Sequence, residues 1–198
     1  MSEPIYIVRH GQTDWNVEFR LQGQSETDLN EVGRGQAAAN GRLLTRLIPD
    51  PSRFTFVASP MKRTRQTMEI IRGALGLPPA DYGTDPRLVE VHFGDWETFT
   101  FAELEKTAPG SSTARNRDKW GFLPPGAGAE SYAMMTERVR PWLRDMKGPA
   151  VVVTHGGVIR AMFNMLNGLP GPEAAVMDVP QDRVAAIESG RIAWISSV

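Results

Sequence analysis

The chain has 198 residues, a formal net charge of −1 and no cysteine. That is enough length for one domain with a sizeable core. It excludes disulfides, a thiolate nucleophile and a cysteine–zinc site, and the balanced charge gives no basic field for nucleic acid or an anionic membrane. No apolar run reaches the ~18 residues of a membrane span, and the first strand begins by Ile5, which leaves no room for a leader peptide. A cytoplasmic location is the expectation.

Ile5–Val8 reads as a buried strand, and 11–30 as a polar, turn-rich loop. Asn30 is a candidate cap for a helix over 31–47, with Leu43, Leu44 and Leu47 on its apolar side; Pro49-Asp50-Pro51 ends it. Phe54–Ala58 is the next strand. Ser59-Pro60 offers a hydroxyl cap and a first-turn proline for a helix that buries Met61, Thr64, Met68, Ile71 and Leu75. Residues 77–86 read as turns, 87–91 as a short strand and 98–106 as a short helix. Residues 107–129 are rich in Pro, Gly, Ser and basic residues, and within 98–130 they suggest a lid or substrate wall. A helix is expected over 130–146, the central strand at Val151–Val153, and a helix over 157–166. Strands are expected at 174–178, 183–188 and 191–195, the last two joined by Ser189-Gly190. This alternation predicts α/β, a three-layer α/β/α sandwich with a mostly parallel sheet, as a single domain over 1–198.

Two of the three histidines end strand-like runs and precede glycine: Arg9-His10-Gly11 and Thr154-His155-Gly156-Gly157. Open α/β sheets bind ligands at the carboxyl ends of their strands. A histidine nucleophile needs one ring nitrogen held by an acceptor and the other free. Arg9 offers a planar fork of donors to phosphoryl oxygens, although a surface Arg-His pair fits that tripeptide equally. Thr13, Asp14 and Asn16 bring further polar groups or serve as turn residues. Arg63 stands in the first turn of a helix, where exposed amides favour an anion; Lys62 and Arg65 fit a solvated face better. Glu90 and Glu97 are both candidates for the acid that protonates a leaving alkoxide and later activates water. His155 would donate to the transferring oxygens. Trp15, Trp96 and Trp120 either line a cleft or pack. A metal centre built from His10, His92 and His155 with a carboxylate is the weaker alternative, because arginines crowd the same positions.

Arg9-His10-Gly11-Gln12-Thr13-Asp14-Trp15-Asn16 resembles the signature of the histidine phosphatase superfamily, the phosphoglycerate mutase-like proteins. Leu21-Gln22-Gly23, Leu29-Asn30, Ser59-Pro60 with Arg63, Glu90 with Phe93-Gly94 and Trp96-Glu97, and Thr154-His155-Gly156-Gly157 match in order. The resemblance implies a phosphoglycerate mutase-like fold. It also implies a phosphohistidine on His10, phosphoryl binding by Arg9, Arg63 and His155 with Asn16, and Glu90 as proton donor, with Glu97 supporting the site. Gln22 and Gly23 would face the substrate, and Thr13 and Gly156 would join the phosphate-binding set. No metal or organic cofactor is implied.

The short interval from Glu90 to His155 is similar to the phosphatase side of the family. Thr98 in place of the usual glycine, and the expanded 125–131 stretch, depart from its pattern. The expected partner is a small phosphorylated metabolite, with no nucleic acid and no membrane. The expected state is a monomer or a homodimer, and Trp142 and Met134-Met135 suit a dimer interface or core packing equally. Arg115, Arg117 and Lys119 suit either a second anionic group or a solvated face. The alternatives are a cofactor-dependent phosphoglycerate mutase and a phospho-ligand binding module without turnover.

Overall fold

The computed structural model describes residues 4–195, so residues 1–3 and 196–198 of the expected domain lie outside the described residues. In chain order the elements are β1 (Ile5–Arg9), α1 (Asp14–Val17), α2 (Glu31–Leu47), β2 (Thr55–Ala58), α3 (Lys62–Ala74), β3 (Gly83–Thr84), α4 (Phe101–Thr107), α5 (Ser111–Arg117), α6 (Tyr132–Asp145), β4 (Ala150–Thr154), α7 (Gly156–Asn167), α8 (Gly171–Val176), β5 (Val184–Glu188) and β6 (Arg191–Trp194). The strands form one sheet in the order β3-β2-β4-β1-β5-β6. β3, β2, β4 and β1 run parallel, and β5 and β6 add antiparallel to the β1 edge.

Alternation along the central strands builds the three layers. Tyr6, Val8, Val151 and Val153 point to one face, where they meet Leu44 of α2 and Met68 and Ile71 of α3. Ile7 and Val152 point to the other face, where Met135, Val139 and Trp142 of α6 and Ile159 and Met162 of α7 pack. β4 is buried at all five positions because it lies between two parallel neighbours and two helical layers. Met135 and Trp142 are core; Met134 is the half-exposed member of that apolar set.

Several local expectations are corrected. The strand expected over 87–91 is absent: Asp85 caps a single 3-10 turn at Pro86–Leu88, and the edge strand is Gly83–Thr84 on β2. The carbonyls of Arg87, Val89 and Glu90 accept from the Arg138 guanidinium in place of a neighbouring strand. Residues 174–178 are mostly helical, because Gly171-Pro172 starts α8. The irregular 107–129 stretch contains α5, whose leading amides at Gly110 and Ser112 donate to the Glu105 carboxylate. Within the 11–30 loop, Thr13 and Asn16 form a capping box on α1. Helix α3 starts at Lys62 with Met61 as its cap residue, so Ser59 does not supply the cap.

Candidate active site

The sheet order brings the chemistry together. β1 and β4 are neighbours in register, with Arg9 opposite Thr154. The two strand–His–Gly units therefore end side by side, and the His10 amide donates to the Thr154 carbonyl at 2.9 Å. The His10 and His155 rings lie edge to face, 5.3 Å between centroids. On the other side of β4, β2 delivers Ser59, whose amide donates to the Val153 carbonyl. The Ser59 hydroxyl hydrogen-bonds His155 Nε2 at 2.8 Å. Gly11 is required here because a Cβ would strike the Gly33 backbone of α2.

His10 is buried, and its Nδ1 stands 2.8 Å from the Gly11 carbonyl oxygen. That acceptor selects the Nδ1–H tautomer and leaves Nε2 with its lone pair. Burial, then Arg63 and Arg9, push the His10 pKa well below that of an ordinary histidine, against the opposing pull of the Gly11 carbonyl. His155 is shifted the same way by burial, Arg63, His10 and Arg9. Arg63 is wholly buried and donates to the carbonyls of Ser25 and Gly23 at 2.8 and 2.7 Å. Burial pushes its pKa down to about 10, partly offset by Glu90, Glu26 and Glu97, so it stays charged at neutral pH. Arg9 Nη1 donates to the Val179 carbonyl at 2.7 Å, and its pKa is lowered chiefly by burial. Arg9 Nε, Arg63 Nε and His155 Nδ1 are buried without a hydrogen-bond partner. A buried unmatched donor is costly, and two of the three belong to arginines that line the pocket beside His10, where an anion would offset that cost.

Glu90 accepts from the Gly157 amide with both oxygens, 3.1 Å each, at the start of α7. A Cβ on Gly157 would occupy the place of Glu90 Oε1. Glu97 accepts from the Gln24 and Phe93 amides and from the Ser25 hydroxyl, so it ties loops together beside the pocket. A pocket of about 120 Å³ is lined by Arg9, His10, Asn16, Gln22, Gly23, Arg63 and Glu90, together with Arg20, Leu21 and Phe93. Arg9, Asn16, Arg20 and Leu21 also line an adjoining cleft of about 870 Å³ walled by Trp15, Phe19, Phe101 and Arg160.

Although the His155 ring meets that of His10, Thr13, His155 and Gly156 are not among the residues that line the small pocket. Thr13 sits behind it, bonded to Asn16; Gly156 opens α7 beside the guanidinium groups of Arg9 and Arg160. Of the tryptophans, Trp15 walls the cleft. Trp96 is core, stacked on Phe122, and Trp120 stacks on Tyr132. His92 Nδ1 accepts from the Gly94 amide, and His92 does not line the small pocket. Among the described residues no group of three or more His, Cys, Asp or Glu is placed to hold a metal ion, and no helix is long and apolar enough to cross a membrane. Sequence reasoning missed Arg20, Gln181 and Arg138. Gln181 donates to the His10 carbonyl and to Asn16, 3.1 Å each, from a loop with no motif of its own.

Two histidines at the ends of adjacent parallel strands stand with two buried arginines and a carboxyl group around one pocket region, an arrangement suited to phosphoryl transfer. The sequence profile of the histidine phosphatase superfamily (branch 1) matches residues 5–195, and the chain belongs to that family. It is 34% identical over 178 residues to the glucosyl-3-phosphoglycerate phosphatase of Mycolicibacterium vanbaalenii, covering 84% of this chain and 75% of that protein. It is 30% identical to a probable phosphoglycerate mutase of Yersinia enterocolitica, over 98% and 88% of the two chains. The structure of a mycobacterial glucosyl-3-phosphoglycerate phosphatase in complex with VO3 superposes with a TM-score of 0.80 at 30% identity, covering 98% of both chains. The mostly parallel α/β fold and the phosphatase class expected from sequence agree with these relatives.

Proposed function

We propose that this protein hydrolyses the phosphomonoester of a small phosphorylated metabolite through a phosphohistidine on His10. The observation that carries this reading is the His10 ring held at Nδ1 by Gly11, beside three buried donors that lack partners. His10 Nε2 attacks phosphorus; the N–P bond forms as the P–O bond to the leaving alcohol breaks. Glu90, protonated, gives its proton to the leaving oxygen. Arg9, Arg63 and His155, with Asn16, hold the equatorial oxygens and gather the negative charge of the transition state. Gln22 and Gly23 wall the substrate side. Water then attacks the phosphohistidine, Glu90 takes its proton, and orthophosphate leaves with His10 restored. No step calls on a cofactor. Thr13 supports Asn16, and Gly156 gives Arg9 room at the helix start. The protein works as one domain over 1–198, in the cytoplasm, with 98–130 as substrate wall.

The test is phosphate release, with chelator present, from a panel of glucosyl-3-phosphoglycerate, 3-phosphoglycerate, sugar phosphates, nucleotides and α-ribazole phosphate, beside His10→Ala. Release that vanishes in the variant, with acid-labile label on the wild-type protein, is the expected result. Interconversion of phosphoglycerates without net release would select a mutase. Release that persists in His10→Ala would remove the phosphohistidine.

A further inference from the structure

We infer that Gln181 is a positioning residue of the phosphoryl pocket: it fixes the Asn16 side-chain amide so that the NH2 end, and not the oxygen, is left for the phosphoryl group. The inference rests on the phosphatase reading above and adds a residue that belongs to no motif of the sequence.

Sheet topology brings Gln181 to the site. β5 runs antiparallel to β1, with Val184 opposite Val8. The chain entering β5 must therefore pass the end of β1, where His10 stands. That entry segment holds the site at three places. The Met177 carbonyl accepts from Arg160 Nε and the Val179 carbonyl from Arg9 Nη1, at 2.9 and 2.7 Å. Gln181 Nε2 donates to the His10 carbonyl and to Asn16 Oδ1, 3.1 Å each. The Gln181 carbonyl in turn accepts at 2.9 Å from Nδ2 of Asn40, a fully buried residue of α2 that no step of the reaction uses. Gln181 is thus anchored from behind while its side chain reaches forward.

The two ends of the Asn16 amide are the same size, and hydrogen bonds alone choose which faces the phosphoryl oxygens. Three donors converge on Oδ1: the Thr13 amide at 3.0 Å, the Thr13 hydroxyl at 3.2 Å and Gln181 Nε2 at 3.1 Å. Among the described residues Asn16 Nδ2 has no partner, and Asn16 lines both the small pocket and the adjoining cleft. Turning Oδ1 to the pocket would set an acceptor against an anion and strand those donors. The Thr13 contacts come from the same turn as Asn16, as the capping box of α1. Gln181 is the donor that arrives from another element. Its one NH2 group spends both hydrogens on the site, one on the nucleophile's backbone and one on the phosphoryl-binding amide.

The experiment is a double-mutant cycle of Gln181→Met, which keeps the length and removes the donors, with Asn16→Ala. It reads kcat/KM on nitrophenyl phosphate and the Ki of orthophosphate, with a melting curve for each protein. Gln181→Met alone is expected to lower kcat/KM and weaken orthophosphate about ten-fold, at a melting temperature close to that of wild type. In the Asn16→Ala background it should cost less than about two-fold, because the group it positions is gone. Gln181→Leu and Asn16→Ser stand in for a variant that does not fold. An equal loss in both backgrounds, or no loss in either, overturns the role of Gln181 and leaves the phosphatase reading standing. No phosphate release by wild type from nitrophenyl phosphate or from the metabolite panel overturns both.

Discussion

At the scale of single residues, the site rests on atoms held by one or two fixed partners. Glu90 is gripped by the Gly157 amide and placed against the pocket. Glu90→Gln keeps the shape and removes the proton. We expect kcat to fall about 10²- to 10⁴-fold with alkyl phosphates, and much less with nitrophenyl phosphate, whose leaving group needs no proton; single-turnover rates on the two esters check this. His155 owes its ring orientation to the Ser59 hydroxyl. Ser59→Ala should lower kcat by about ten-fold while leaving thermal stability little changed, as steady-state kinetics beside a melting curve would show. The low pKa of His10 keeps its imidazole neutral, and hence nucleophilic, below pH 6.5. The acid limb of kcat/KM contributed by His10 therefore lies below that of a free histidine; a pH–rate profile with an inflection at or above pH 6.5 assigned to this ring would contradict it.

At the scale of elements, the segment that carries Glu90 has no strand partner, and helix α6 compensates. Arg138 donates to three of its carbonyls, and Gln24 to the Glu90 carbonyl, while Glu130 holds the guanidinium with both oxygens. Lysine has the charge without the planar fork. Arg138→Lys should lower kcat on alkyl phosphates by roughly ten-fold, with a smaller loss on nitrophenyl phosphate, because the fault lies in placing the acid. Equal losses on both esters would point to general unfolding of the site. Parts of this level were legible beforehand. The long helix α2 carries a cap, Asn30, and a periodic apolar face. The 87–91 and 174–178 stretches misled because short apolar runs have the same composition in a strand, a turn or a one-turn helix. Only their distant partners, Arg138 and the α7 layer, decide between these.

For the whole molecule, the same buried histidines link stability to pH. His10 and His155 have folded pKa values well below 6.5, so below that pH the unfolded chain binds protons that the folded chain does not. Their contribution is fully present above pH 6.5 and is lost as the pH falls toward the folded pKa values. The melting temperature should drop over that acid window, and less steeply in His10→Gln. Inorganic phosphate, by pairing the unmatched donors, should raise it by mass action; calorimetric scans with and without phosphate test both. On the far face, Met162 is fully buried between α7 and the sheet. Met162→Ala should cost about 2–5 kcal/mol, seen as a shifted urea midpoint.

The sequence by itself determined the α/β alternation and singled out the candidate nucleophile and arginines, because each is written in a local pattern: a strand-like run ending on His-Gly, a basic first turn, a capped amphipathic helix. It left the choice between Glu90 and Glu97 to resemblance, and gave no sign of Gln181, Arg20 or Arg138. Tertiary structure brought Glu90 to the pocket wall and Gln181, Arg20 and Arg138 to its surroundings. Sheet order put β2, β4 and β1 side by side, so that Ser59, His155 and His10 stand in a row although 96 and 145 positions apart in the chain. It also decided which cations found acids and which did not. A charge's surroundings are set by whatever the fold packs against it, and neighbours in space need not be neighbours in the chain.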